Sequence, residues 1–336
     1  MAITNVYGES EFQMAIKAET TIGTALLTTM QLMNVDTITQ PDPGVVDIRD
    51  IKSGVGRTMK AADVIVEDKA VSKTFTVAGI ADATVLPMLV ENLMTNVVGA
   101  SPLSFDIPYN YTQPELTHGT TTISDNTRTL TLAWVRAESG NAIIYNGCVV
   151  TDLTISADAN TDGGLVRYSA TIMTGYIPSY DQADPGSMTP RATTYYHLFD
   201  WNATRQIAGT DVVLASFELV FTNPTVALGN QGSSGDPEMY SRGVPAIIAG
   251  GTFNVKFDEN TGGGASNLLV DHKDGSTTVF EFSNNATWGS ATTFGFMASY
   301  GKLRLPEVNA LESGVFMNVG VDFTGSTSGD VIQLIV

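Results

Sequence analysis

The sequence predicts a mainly β chain made of two tandem sandwich- or barrel-type units, each with a flanking helix, long in the first unit and short in the second. Three observations predict it. Segments that alternate apolar and polar residues recur along the chain, which is the period of a half-buried strand. The order strand, helix, strand, strand, strand occurs twice. The composition is 43% hydrophobic but only 15% charged, with 32 glycines and 13 prolines, and Thr, Ser and Asn make up the polar remainder. That mixture suits strands joined by many turns and a subunit whose surface is covered by neighbours.

Taken in order, the apolar stretch Ile22–Leu32 reads as an N-terminal arm or first strand, closed by the turn Gln40-Pro41-Asp42-Pro43-Gly44. Residues 45–60 form a polar connection, and Ala61–Glu67 resumes apolar character. Lys73–Ile80 alternates as a strand. Val85, Leu86, Leu89, Val90, Leu93, Met94 and Val97 then fall on one helical face, with Asp82 or Thr84 as N-cap and Pro87 tolerable in the first turn. Ser101–Thr127, rich in Pro, Tyr and Thr, is a hairpin with an extended tip or an excursion to a neighbouring subunit. Thr129–Val135, Asn146–Ser156 and Gly164–Gly175 complete the first unit.

Asp181–Pro190 carries the linker signals, so the units are 1–180 and 196–336, with 181–195 between them. In the second unit Val212–Phe221 is a strand, Gly229–Ile248 a long loop, and Gly251–Asp258 matches Thr74-Phe75-x-Val77. Ala265–Asp271 has room for about two helical turns, and Thr277–Phe282 corresponds to the Trp134 strand. Tyr300–Val308 and Gly314–Gly325 echo Asn146–Ser156 and Gly164–Gly175, with Gly301 beside Gly147 and Thr324-Gly325 beside Thr174-Gly175.

With 17 basic and 35 acidic residues the formal net charge is -18, which opposes a nucleic-acid-binding surface. The N-terminus lacks the basic and apolar regions of a signal peptide, and no apolar run approaches the ~18 residues of a membrane span. The single cysteine, Cys148, lies in an apolar strand pattern and reads as a buried thiol.

No residue is assigned a catalytic, cofactor-binding or metal-binding role, and enzymatic function is not expected. His118, His197 and His272 stand too far apart in sequence for metal-ligand spacing, and Asp258-Glu259-Asn260 lacks the calcium-loop pattern. Gly262-Gly263-Gly264 has no Lys-Ser/Thr behind it and reads as a flexible turn. The aromatic run Tyr195–Trp201 has few cations nearby and reads as the packing of a seam between domains or subunits.

Several stretches carry a resemblance to a known family. Ser216–Pro224, Arg242–Gly251 and Thr252–Asp258 in the second unit, with Tyr145–Ala157 in the first, resemble the tail tube proteins (major tail proteins) of long-tailed bacteriophages. The resemblance spans residues 75–325 and consists of patterns, not invariant motifs. It implies inner strands that join those of neighbouring subunits in a β-barrel around a channel, with six tube domains per ring. Two domains per chain then imply homotrimeric pseudo-hexameric rings, with a homohexamer as the alternative, stacked into a conduit for DNA in the virion tail and assembled in the host cytoplasm. Other tail proteins are the implied partners, DNA passes without specific contact along an acidic lumen, and no membrane is involved. The alternatives are another phage structural protein, or a carbohydrate-binding or adhesion β-sandwich using the aromatics near Trp201.

Overall fold

The computed structural model describes residues 12–39, 48–50, 64–66, 73–94, 97–100, 103–108, 116–117, 119, 128–136, 141–183, 185–186, 188–229, 237, 239–242, 248–257, 268–286, 288, 293–311, 314–325 and 330–336. The fold is mainly β, with two α-helices among the described residues. The first half of the chain supplies β1 (Phe12–Ala18), β2 (Gln31–Leu32), β3 (Val35–Ile38), β4 (Ile48–Asp50), β5 (Val64–Val66), β6 (Lys73–Ile80) and α1 (Val85–Met94). It continues with β7 (Val97–Ala100), β8 (Leu103–Pro108), β9 (Leu116–Thr117), β10 (Leu130–Arg136), β11 (Asn141–Asp158), β12 (Arg167–Thr174) and β13 (Ser179–Ala183). The second half supplies β14 (Thr204–Ile207), β15 (Thr210–Asp211), β16 (Leu214–Thr222), β17 (Thr225–Leu228), β18 (Met239–Arg242), β19 (Ile248–Lys256) and α2 (Leu268–Asp274). It ends with β20 (Thr277–Ser283), β21 (Gly295–Leu303), β22 (Glu307–Leu311), β23 (Gly314–Phe323) and β24 (Asp330–Ile335).

Nineteen of these strands form one hydrogen-bonded network, and every pairing in it is antiparallel. Through its middle runs a single sheet in the order β3, β6, β12, β11, β16, β19, β23, β22. The halves of the chain meet inside it, where β11 pairs with β16 from Asp152 with Thr222 to Asp158 with Ser216. Phe75 and Val77 on β6, Leu153 and Ile155 on β11, Leu219 and Phe221 on β16, and Val319 and Val321 on β23 are buried on one face. They belong to one hydrophobic cluster that spans both halves.

The pairing schemes of the two halves correspond strand by strand. In the first, β6 pairs with β12, β12 with β11, β11 with β10 and β10 with β1, while β13 adds to the start of β11. In the second, β19 pairs with β23, β23 with β21 and β22, β21 with β20 and β20 with β14, while β24 adds to the start of β21. Two of the irregularities correspond as well, while the shift between Ala142 and Ile144 in β11–β13 has no counterpart in β21–β24. Register shifts lie between Leu130 and Leu132 and between Thr278 and Phe280, and again between Val35 and Thr37 and between Leu214 and Ser216. Bulges mark positions in a ladder independently of side-chain identity. Superposing them sets Cys148 against Gly301, Leu132 against Phe280, Val77 against Phe253 and Ile38 against Phe217. The echo read from residue identity, Gly147 with Gly301 and Phe75 with Phe253, is therefore displaced by one and two positions.

Several other expectations are corrected or narrowed. The first described strand is β1, not Ile22–Leu32, whose middle is a loop with Ile22 and Met30 buried. Helix α1 ends at Met94, and Val97 instead pairs with Phe105 in the hairpin β7–β8, whose second strand also pairs with β24. Asp82 is the cap of α1: its Oδ1 accepts from the amides of Thr84 and Val85 at 2.9 and 2.8 Å. Gly229–Ile248 contains β18, which makes a hairpin with β17. Within 181–195, Thr189 exchanges amide and carbonyl bonds with Met30 and Leu32, and the Ala83 amide donates to Thr194, so this segment is tied along the first half. Gly262–Gly264, Asp258–Asn260 and His118 lie outside the described residues.

Candidate functional site

The feature with no internal explanation is the exposed face of the central sheet together with its two outer edges. Facing away from the core, many of the alternating residues are short and polar, Thr76 on β6, Ser169 and Thr171 on β12, Thr154 and Ser156 on β11, Thr252 and Asn254 on β19 and Asn318 on β23, with Val220 and Ile248 as exposed apolar exceptions and Lys256 as an exposed cation. Carboxylates punctuate this surface at Asp152, Asp158, Glu218 and Asp322. Asp152 accepts the hydroxyls of Thr151 and Thr222 at 2.9 and 2.8 Å, across the junction of the halves. Arg167 is engaged by Asp36 and, at 2.6 Å, by Asp162; Arg304 is engaged by Asp322. Both guanidiniums are thus neutralised by acids of the protein, leaving them poorly placed to hold a polyanion.

A shallow depression of about 330 Å³ opens on this face at the β11–β16 junction, lined by Ser156, Asp158, Asp162, Arg167, Glu218 and Thr252 among others. Among the described residues no group of three or more His, Cys, Asp or Glu side chains could hold a metal ion. His197 lies in a capping turn in which its amide donates to Asp200 Oδ2 at 2.7 Å, and the His272 Nδ1 lies 3.0 Å from the Leu303 carbonyl. Cys148 is fully buried; burial first, then the nearby charge of Glu19, pushes its thiol well above the ordinary value, which favours the neutral thiol.

The aromatic run after residue 194 packs a seam. Trp201 is fully buried against Phe217, Phe294 and Phe282 at centroid separations of 4.4, 5.1 and 5.2 Å, and Tyr196 stacks on Phe294 at 4.6 Å. The same segment bonds to the first half, with the Val166 amide donating to Tyr196 and the Tyr196 amide to Ala81. Burial leaves the Tyr196 hydroxyl at a pKa of about 12. Phe199 alone of the run is strongly exposed, at 58%.

Sequence reasoning missed two buried charges. Glu19 is completely buried and receives the Gly23 and Gly147 amides and the Thr131 hydroxyl, each at 2.8 Å, and the Thr129 hydroxyl. Burial raises its pKa, and these four bonds oppose the rise without cancelling it. Arg242, on β18, donates to the Val150 carbonyl at 3.1 Å, and burial lowers it to about 9. Beside it the Tyr240 hydroxyl donates to the Gly147 carbonyl and accepts from the Gly175 amide at 2.7 and 2.9 Å, so the β17–β18 hairpin clasps the first half. For Arg242, a charge just before the apolar run Val244–Ala249 was the available signal; Glu19, two residues from Lys17, carried none.

Among the described residues no helix is long and apolar enough to cross a membrane. No family model matches the chain, and no curated protein matches it.

Proposed function

We propose that this protein is a structural subunit of a tail tube of the long-tailed bacteriophage type, two tandem tube domains per chain, three chains per pseudo-hexameric ring, and rings stacked into a hollow conduit. The observation that carries the reading is the single central sheet in which two ladders with corresponding pairings and two shared register shifts are already joined edge to edge through β11 and β16. One chain therefore contains a head-to-tail domain contact. Repetition of such a contact generates a ring when its rotation closes.

The exposed sheet face supports the lumen assignment. Small hydroxyl and amide side chains, carboxylates, and arginines engaged by acids make a surface along which DNA slides without exchanging its counterions for protein charge. The role is passive, and no residue acts as a catalyst. A carbohydrate-binding sandwich draws no support from the run ending at Trp201, whose indole is buried.

Negative-stain micrographs of concentrated, purified protein test this function. Rings or tubes with a central hole are the expected result; a monomer that persists at every concentration overturns it.

A further inference from the structure

The internal junction predicts the register of the contact between chains. Within the chain, Ser156 pairs with Glu218, Ala157 with Phe217 and Asp158 with Ser216. The corresponding shifts in β3–β6 and β16–β19 set Thr37, Ile38 and Thr39 in the places of Ser216, Phe217 and Glu218. On the other side of the junction, Tyr168 pairs with Ile155 and with Gly79, as Met317 pairs with Val308 and with Val255. Asn309, Ala310 and Leu311 thereby take the places of Ser156, Ala157 and Asp158. Among the described residues β3 pairs only with β6 and β22 only with β23, so the two strands equivalent to the joined ones are the two that end the sheet.

We infer that β22 of one copy pairs antiparallel with β3 of the next, with Asn309 opposite Thr39, Ala310 opposite Ile38 and Leu311 opposite Thr37. The inference rests on the tube reading and specifies its partner, a second copy of this chain. An edge strand with free amides and carbonyls is a template for another chain, and here the chain's own junction supplies the template's geometry. The faces agree in this register: Thr39 is exposed as Glu218 is, and Ile38 turns toward the core cluster as Phe217 does. A slip of one residue would exchange these faces.

The Thr39 amide donates to the Thr76 carbonyl at 2.9 Å, so its backbone groups point to β6 and it meets the next copy as a non-hydrogen-bonded pair. Such pairs bring Cα atoms to about 4.5 Å, within disulfide reach. The double variant Thr39→Cys/Asn309→Cys should therefore cross-link between copies on mild oxidation. Neither single variant should do so, because Cys148, the one native cysteine, is buried. Thr37→Cys/Asn309→Cys, a diagonal pair about 7–8 Å apart, should cross-link at least ten-fold less. The expected product is a ladder on non-reducing gels that ends at the covalent trimer. Hollow rings in micrographs of the oxidised double variant, without that cross-link, overturn the register and leave the tube function standing. Monomers in micrographs of the unsubstituted protein overturn both.

Discussion

The two ladders of the central sheet share a pairing scheme and differ in what fills it. In the first half, α1 lays Leu86, Leu89, Val90 and Leu93 onto the sheet, all completely buried. Asn92 on that helix donates to the Arg128 carbonyl and accepts from the Val150 amide, at 2.8 and 2.7 Å, fastening helix to strand. In the second half, α2 buries only Leu268, and rings occupy the space instead. Phe253 stacks on Phe280 and Phe282 at 5.1 Å, and Phe296 lies 5.2 Å from Phe323. The hydrogen-bonded ladder is thus the shared element, while its covering is exchangeable between aliphatic helix and aromatic stack.

The largest expected effect comes from opening either covering. Phe282→Ala in the second half should cost about 3–5 kcal/mol and Leu89→Ala in the first about 2–5 kcal/mol, the ranges for deleting buried aromatic and aliphatic side chains. Because one core cluster crosses the β11–β16 junction, urea unfolding followed by far-ultraviolet circular dichroism and by tryptophan fluorescence should give coincident single transitions for both variants. Two separated transitions would show that the halves unfold independently.

Next comes Glu19, whose counterpart position in the second half, beyond β14, carries no carboxylate. Glu19→Ala orphans two amides and two hydroxyls and should cost about 3 kcal/mol, measured by urea titration. The pH dependence has a definite sign. The folded pKa is raised above 4.5, so the folded state holds the Glu19 proton more tightly than the unfolded chain. Its contribution is complete below 4.5 and is lost as pH rises through the raised value. The stability difference between the wild-type protein and Glu19→Gln should therefore shift in favour of the wild type as pH falls from 7 toward 4.5.

A smaller effect sharpens the correspondence itself. A Cβ on Gly301 would meet the Phe280 ring and Val321 at 2.7 Å, whereas its counterpart Cys148 sits beside Leu132. Gly301→Ala should cost about 1–3 kcal/mol as overpacking. Adding Phe280→Leu should recover part of that, giving a favourable coupling of at least about 0.5 kcal/mol in a double-mutant cycle. The least effect is expected from Arg304→Ala: the pair with Asp322 is more than half exposed, and its loss should change the unfolding free energy, measured by urea titration, by no more than a few tenths of a kcal/mol.

Much of this was legible in the sequence because half-buried strands write their faces as alternation. Phe75, Val77 and Gly79, or Leu153, Ile155 and Ala157, announce strands buried on one side. β1 was not legible because Met14, Ala15 and Ile16 are all buried, with Met14 and Ile16 in the large cluster and Ala15 in a second one, so no alternation remains. The true correspondence of the halves was hidden for a related reason. Phe280 with Gly301 fills the space that Leu132 with Cys148 fills, and residue identity misleads where volumes have been traded between neighbours. The exposed face was readable as composition, an excess of Thr, Ser and Asn. Its continuity across β11 and β16 depends on a long-range pairing that no local pattern encodes.

On the tube reading, the junction inside one chain is repeated between chains until a ring closes. Native mass spectrometry of assembled rings tests it most directly. A closed particle with the mass of three chains is the expected result; a ring of six chains, or a monomer under conditions that preserve weak complexes, would contradict it.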